Sequence, residues 1–171
     1  SCAACGRDEL TQVLDLPRLP MIGIFLDSLK DADRFPPFDQ AMMICEECGH
    51  MQLRDCLDPK YLYDESFTHR SSASASASSG NEFFAAYLQQ VAGDRRFKRA
   101  IEIGCNDVQL LRLVSSIGDI VCGVDPIWRG CEPEPEGNIR VIGAFVEDID
   151  FHAELDGAPD LIFSSMTFEH L

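Results

Sequence analysis

From residue 98 onward, short apolar runs alternate with stretches whose apolar residues recur every three or four positions. Residues 100–103, 120–124, 140–142 and 160–163 read as strands. The first ends at Gly104, the second at Asp125, and Ser164 and Ser165 follow the last. Residues 108–114 read as a helix with Leu110, Leu111 and Val114 inward and Asp107 as its cap or first-turn acid. Short strands joined by helical crossovers predict a parallel, doubly wound sheet. The second crossover is irregular. Between 128 and 138 lie Gly130, Pro133, Pro135 and Gly137, so only a loop or a single turn fits.

Upstream, Phe84, Tyr87, Leu88 and Val91 recur at helical spacing, and Gly93 is a stop signal, so residues 81–91 are expected to be a helix. The Ser/Ala alternation over 71–79 suits either a flexible linker or a polar helix start. Residues 1–60 are different. Pro17, Pro20, Pro36, Pro37 and Pro59 cut them into short pieces, with strands expected at 13–16 and 42–44 and continuing over 51–53. The pattern divides the chain into a module at 1–60, a linker and helix at 61–97, and the first part of an α/β domain at 98–171. A parallel sheet ending at Leu171 would leave its last strand as a bare edge, so a longer protein is expected.

Charge narrows the partners. The 171 residues carry 29 acidic and 14 basic side chains, a net −15. Between 1 and 60 only Arg7, Arg18, Lys30, Arg34, Arg54 and Lys60 are basic, against 11 acids, with no aromatic–basic stripe. A field of that sign repels polyphosphate, so nucleic acid is not an expected partner. Apolar runs fall short of the ~20 residues that span a bilayer.

Eight cysteines, at 2, 5, 45, 48, 56, 105, 122 and 131, set the next constraint. Cys2-Ala-Ala-Cys5-Gly6 and Cys45-Glu-Glu-Cys48-Gly49 are two copies of one unit. In such a knuckle the turn aims backbone N–H groups at the thiolates. Two knuckles supply four sulfurs, and a tetrahedral S4 site suits zinc; iron is chemically possible and a redox pair is the rival reading. Four thiolates leave no open position, so the site is expected to be structural. His50, beside it, is expected to be exposed or outside the ligand set. Cys105 and Cys122 sit in strand-like context and read as core residues. Free thiols with zinc point to a reducing interior, hence the cytoplasm.

Chemistry concentrates where the first strand meets its helix, at Glu102-Ile-Gly104-Cys-Asn106-Asp107. A dinucleotide site wants G-x-G-x-x-G, but positions 104, 106 and 109 are Gly, Asn and Gln. A cationic amino-acid cofactor has other needs, which Glu102, Asn106 and Asp107 suit. Asp125, 21 residues beyond Gly104, is placed to accept from both hydroxyls of a ribose. Asp148 could accept an adenine amino group.

These motifs together resemble the S-adenosylmethionine (SAM)-dependent C-methyltransferases of nucleotide-linked deoxysugars, which carry an N-terminal zinc-binding domain. The resemblance covers nearly the whole chain. Cys2-x-x-Cys5-Gly6 and Cys45-Glu-Glu-Cys48-Gly49-His-Met-Gln52-Leu53 match the paired knuckles, Asp58-Pro59 through Tyr61-Leu-Tyr63 the linking stretch, Glu102–Asp107 the cofactor motif E-I-G-x-N-D-G, and Gly123-Val-Asp125-Pro126 the ribose-binding strand end. It implies an α/β fold in which a zinc-ribbon-like module precedes part of a Rossmann-like methyltransferase sheet. It also implies SAM and zinc as cofactors, cofactor contacts from Glu102, Gly104, Asn106, Asp107 and Asp125, and a nucleotide-sugar as the small-molecule partner.

The chain departs from that pattern in three places. Val108 stands where the motif ends in glycine and is expected to narrow the approach to the methionine portion of the cofactor. The acidic, proline-rich stretch around 132–136 replaces a crossover helix, and the Ser/Ala run replaces a more varied helical stretch. Methyl transfer to a sugar carbon needs a base to remove the proton α to a keto group. His170, paired with Glu169 past the fourth strand, is the leading candidate; Tyr61, Tyr63 and His69 are the others. Another small substrate such as a polyketide, or a non-catalytic zinc-stabilised scaffold, are the competing readings.

Overall fold

In the computed structural model, residues 1–20, 28–63 and 67–168 are described. The chain forms two compact units, Ser1–Leu62 and Tyr63–Leu171. The first is a three-stranded antiparallel sheet, β1 (Leu10–Leu19), β2 (Phe38–Cys45) and β3 (Met51–Leu53), in that order, followed by the short helix α1 (Pro59–Leu62). β1 runs well beyond the expected 13–16, through Pro17. It can do so because it is an edge strand whose register shifts between Leu16 and Leu19, with Arg18 at φ 53°. Arg18 N–H, freed from the ladder there, donates to Asp39 Oδ1 at 3.0 Å.

Little of this unit is buried. Cys2, Gln40, Ala41 and Cys45 are the buried side chains among its described residues, while Val13 and Leu14 of β1 are about half exposed. Gln40 is bonded at both ends of its amide: Nε2 donates to Asp55 C=O at 2.7 Å, and Oε1 accepts from Ala41 N–H and Asp55 N–H, each at 3.0 Å. One amide side chain thereby fixes the chain where it leaves β3. Gln52 of β3 reaches the first knuckle, accepting from Ala3 N–H at 2.7 Å and donating to Ser1 C=O at 3.3 Å.

The second unit is an α/β fold around a four-stranded sheet. Its strands are β4 (Phe97–Ile103), β5 (Gly118–Val124), β6 (Ile139–Ile142) and β7 (Leu161–Ser164), ordered β6-β5-β4-β7, every pair parallel. Successive residues face opposite sides. Ala100 and Val121 join one core with Leu110, Leu111 and Val114 of α3 (Gln109–Val114) and Ala85 of α2 (Ala75–Ala92). Ile101, Cys122 and Val124 join the other, closed by Leu155 of α4 (Phe151–Leu155). Helices therefore cover both faces, as a parallel sheet requires. The chain steps outward from β4 to β5 to β6, then returns to place β7 on the other side of β4. That reversal makes the carboxyl end of β4 the switch point, where such sheets hold ligands.

The structure decides one open expectation and bears out another. The Ser/Ala run becomes structured: Ser71–Ala73 form a 3-10 turn, Ser74 caps α2 through Ala77 N–H, and the helix starts at Ala75. Its polar side chains reach α3, with Ser78 Oγ accepting from Gln109 Nε2 at 2.7 Å and Asn81 Nδ2 donating to Gln109 Oε1 at 3.0 Å. The inward face is Phe84, Ala85, Leu88 and Ala92, while Tyr87 and Val91 are more than half exposed. The irregular crossover is a 3-10 turn at Pro126–Trp128 and then a loop, tied to α3 by the Arg112–Glu136 ion pair at 3.0 Å.

If Gln40 fixes the exit from β3, Gln40→Leu leaves the N–H and C=O of Asp55 without partners, at a cost of about 2–3 kcal/mol. Hydrogen exchange should show Ala41 and Asp55 losing protection while β4 and β5 keep theirs.

Candidate functional site

The two knuckles close onto each other. The ligand sulfurs of Cys2, Cys5, Cys45 and Cys48 all lie within 4.8 Å of one another. Cys2 Sγ is 3.7 Å from Cys48 Sγ, and Cys5 Sγ is 3.7 Å from Cys45 Sγ. A disulfide needs ~2.05 Å. A tetrahedron with zinc–sulfur bonds of ~2.3 Å has edges of about 3.8 Å, so the spacing is that of a metal cage. The knuckles are built alike: Gly6 N–H donates to Cys2 C=O and Gly49 N–H to Cys45 C=O, each at 2.9 Å, with φ of 73° and 74°. That left-handed turn requires glycine. The four thiols share their protons: the N–H groups of Cys5 and Ala4 help to hold the Cys2 pKa down to about 6, while the neighbouring sulfurs help to push Cys5 up to about 12 and Cys48 above its usual value. His50 is exposed and lies outside the cluster.

The other candidate site lies at the carboxyl ends of β4 and β5. Glu102 is 2% exposed, and its Oε2 has no hydrogen-bond partner. Burial, then repulsion from Asp125 and Asp107, pushes its pKa well above the usual carboxylate range. Asp125 Oδ2 accepts from Asn106 N–H at 2.9 Å, and Oδ1 from Ile127 N–H at 3.1 Å. It thus ties the end of β5 to the loop after β4. Burial raises its pKa, against the pull of those two N–H groups and of the Arg70 charge. Four lone-pair sites on a carboxylate leave room for further donors.

Gly104 has φ 77°, and a Cβ there would meet the Thr167 side chain. The chain itself demands this glycine, through the loop that follows β7, rather than only a ligand passing close to the backbone. Asn106 and Asp107 also serve the chain. Asn106 Oδ1 accepts from Ser71 N–H at 3.0 Å, and its Nδ2 donates to His69 C=O at 3.1 Å. Asp107 Oδ2 accepts from Ser72 N–H at 2.8 Å, while its Oδ1 is buried without a partner. Asp107 is therefore not the cap of α3: the N-cap is Val108, at φ 60°.

Val108 corrects a second expectation. Its side chain is 5% exposed and belongs to the core formed with Leu110 and Leu111. It does not crowd a cofactor through bulk. What the missing glycine changes is backbone strain, because a β-branched residue at positive φ is rare.

Asp148 is exposed, in the 3-10 turn Val146–Asp148 that follows β6. Tyr61 is half exposed on α1, in the first unit. Tyr63 belongs to the second, its ring edge-on to Phe67 at 5.1 Å, and Phe67 is in turn edge-on to His69 at 6.3 Å. Glu169 and His170 lie outside the described residues. Three participants carried no local signal: Thr167 over Gly104, Arg70 near Asp125, and Trp128, whose Nε1 donates to Asn106 C=O at 2.6 Å.

Residues 2–63 match the family described as "Putative zinc binding domain". Over 99% of its length the chain is 25% identical to the C-methyltransferase NovU of Streptomyces niveus, and it spans 41% of that protein. Two structures of the plantazolicin methyltransferase BpumL, both with SAH, align at 21% and 22% identity over 49% and 48% of this chain and 33% and 32% of theirs; the TM-scores are 0.36 and 0.35.

Elemental analysis of unchelated protein should find about one zinc per chain. Cys45→Ser should abolish stoichiometric zinc and cooperative folding of the first unit, since such sites supply ~10 kcal/mol or more. For Val108, strain and packing oppose each other. Val108→Gly relieves ~1–2 kcal/mol of left-handed strain but loses a similar burial term, and should shift urea stability by less than about 1 kcal/mol. Val108→Ala keeps most of the strain, loses packing, and should cost about 2 kcal/mol.

Proposed function

We propose that this chain is the zinc-bearing and cofactor-binding part of a SAM-dependent C-methyltransferase. The observation that carries the reading is the set of carboxylates at the switch point: Glu102 Oε2 and Asp107 Oδ1, buried and without partners, beside Asp125. An orphaned buried carboxylate is costly unless a cation completes it. The cofactor's ammonium is such a cation, so the donor set fits the group. Similarity to a C-methyltransferase over nearly the full chain supports the same reading.

When bound, the cofactor supplies an electrophilic methyl on a sulfonium. The residues of this chain bind and orient it. Glu102 and Asp107 hold the ammonium, Asp125 accepts from the ribose hydroxyls, and Asp148 is assigned to the adenine amino group. The four thiolates hold zinc in a closed structural site and take no part in the transfer. For the substrate we infer a nucleotide-linked keto-deoxysugar, whose α-proton a base removes before the carbon attacks the methyl. His170 positioned by Glu169, Tyr61 and Tyr63 are the base candidates. No helix among the described residues is long and apolar enough to cross a membrane, and a reducing cytoplasm suits a thiolate–zinc protein.

Calorimetry with S-adenosylhomocysteine tests the cofactor reading. Asp125→Ala should weaken binding by about 2–4 kcal/mol. Glu102 adds a proton linkage. Burial and the neighbouring acids favour the protonated form of Glu102 in the free site, and a bound cation favours the ionised form, so affinity should rise with pH across the range where free Glu102 titrates. The observed enthalpy should then vary with the ionisation enthalpy of the buffer. A wild-type chain that binds no S-adenosylhomocysteine at millimolar concentration would leave the scaffold reading in front.

A further inference from the structure

The acidic strand ends pose a problem that Glu102, Asp107 and Asp125 cannot solve. They suit an ammonium, but the amino-acid end of the proposed cofactor also carries a carboxylate. Placed beside three acids, that carboxylate needs a cation. The strap just before α2 brings one there. Three hydrogen bonds bind the strap to the loop after β4: Ser71 N–H to Asn106 Oδ1, Asn106 Nδ2 to His69 C=O, and Ser72 N–H to Asp107 Oδ2. They bracket residue 70 on both sides, so its place depends on the motif loop itself.

Arg70 is half-buried, and its Nη1 donates to Phe67 C=O at 2.6 Å and His69 C=O at 2.9 Å. Those contacts hold the guanidinium by one nitrogen. A guanidinium has five N–H donors in a planar fork that matches a carboxylate. Four other basic side chains of the second unit are engaged elsewhere. Arg99 binds the C=O of Leu155 and of Asp156, Arg96 pairs with Asp119, Arg112 pairs with Glu136, and Arg129 lies over the Phe145 ring.

We propose that Arg70, set beside the acidic strand ends by the 69–72 strap, binds the carboxylate of the cofactor's amino-acid end. The proposal rests on the cofactor reading above and deepens it. The motif loop then sorts the two charges of one amino acid. Its own carboxylates take the ammonium, and the strap it anchors takes the carboxylate.

The test compares two ligands by calorimetry on the zinc-loaded chain. S-adenosylhomocysteine carries the amino-acid end; 5′-methylthioadenosine keeps the adenosine and the thioether but lacks it. Arg70→Gln should weaken S-adenosylhomocysteine about 10- to 100-fold and leave methylthioadenosine within about twofold. Arg70→Lys, which keeps the charge and loses the fork, should fall between wild type and the glutamine variant. Wild-type affinity for S-adenosylhomocysteine in Arg70→Gln overturns the assignment. So does an equal loss for both ligands, which would make Arg70 a structural support of the strap. A wild-type chain that binds neither ligand overturns the cofactor reading, and this assignment with it.

Discussion

Glu102 occupies the end of the central strand of the second unit, between Gly123 of β5 and Phe163 of β7 in the ladder. A carboxyl group there is cut off from water, and one of its oxygens has no partner. Leaving it so costs on the order of 1–3 kcal/mol or more, and the neighbouring acids add repulsion. What surrounds it follows from managing that concentration of carboxylates. Asp125 is held by two backbone N–H groups, Asp107 by one, and Arg70 brings positive charge to the same place. The unusual backbone is here too: Gly104, Asn106 and Val108 all have positive φ. Strain and unsatisfied polarity at one strand end are tolerated because the sheet and α3 around them are well packed, and such concentrations mark functional sites.

The first unit is organised by a different constraint. About sixty residues bury too little to fold securely without a staple, and the buried side chains among its described residues are two cysteines, an alanine and a glutamine. Four converging sulfurs suit a metal, because a divalent cation offsets the repulsion that neighbouring thiolates would feel. The hydrogen bonds of Gln52 to Ala3 and Ser1 tie the first knuckle to β3. The metal then links the chain's beginning to the turn after β2.

The acidic loop does two jobs at once. Asn106 and Asp107 bind the chain's own strap, and Trp128, at the start of the irregular crossover, donates to the Asn106 carbonyl. Val108 belongs to the same economy, since its side chain fills core volume at the expense of a strained φ.

Much of this was legible in the chain. The repeated CxxCG unit is local chemistry, because ligand spacing and a glycine turn are both properties of five adjacent residues. The short apolar runs at β4 and β5 and the Gly104 and Asp125 ends are equally local, so the parallel α/β sheet and its acidic strand ends could be read directly. The irregular crossover announced itself through proline and glycine. Other features depended on partners distant in sequence. Whether the Ser/Ala run was linker or helix was decided by Gln109 of α3, to which Ser78 and Asn81 bond. The face of α2 that turns inward was set by the sheet, and so Tyr87 and Val91 face outward despite their spacing. Val108 looked like an obstacle because its direction cannot be read from its identity. Thr167 over Gly104, Trp128 on Asn106 and Arg70 beside Asp125 join residues 22 to 63 positions apart. Periodicity and motif spacing report only what neighbouring residues impose on one another, whereas those contacts exist only once the parallel sheet has brought its loops to one edge.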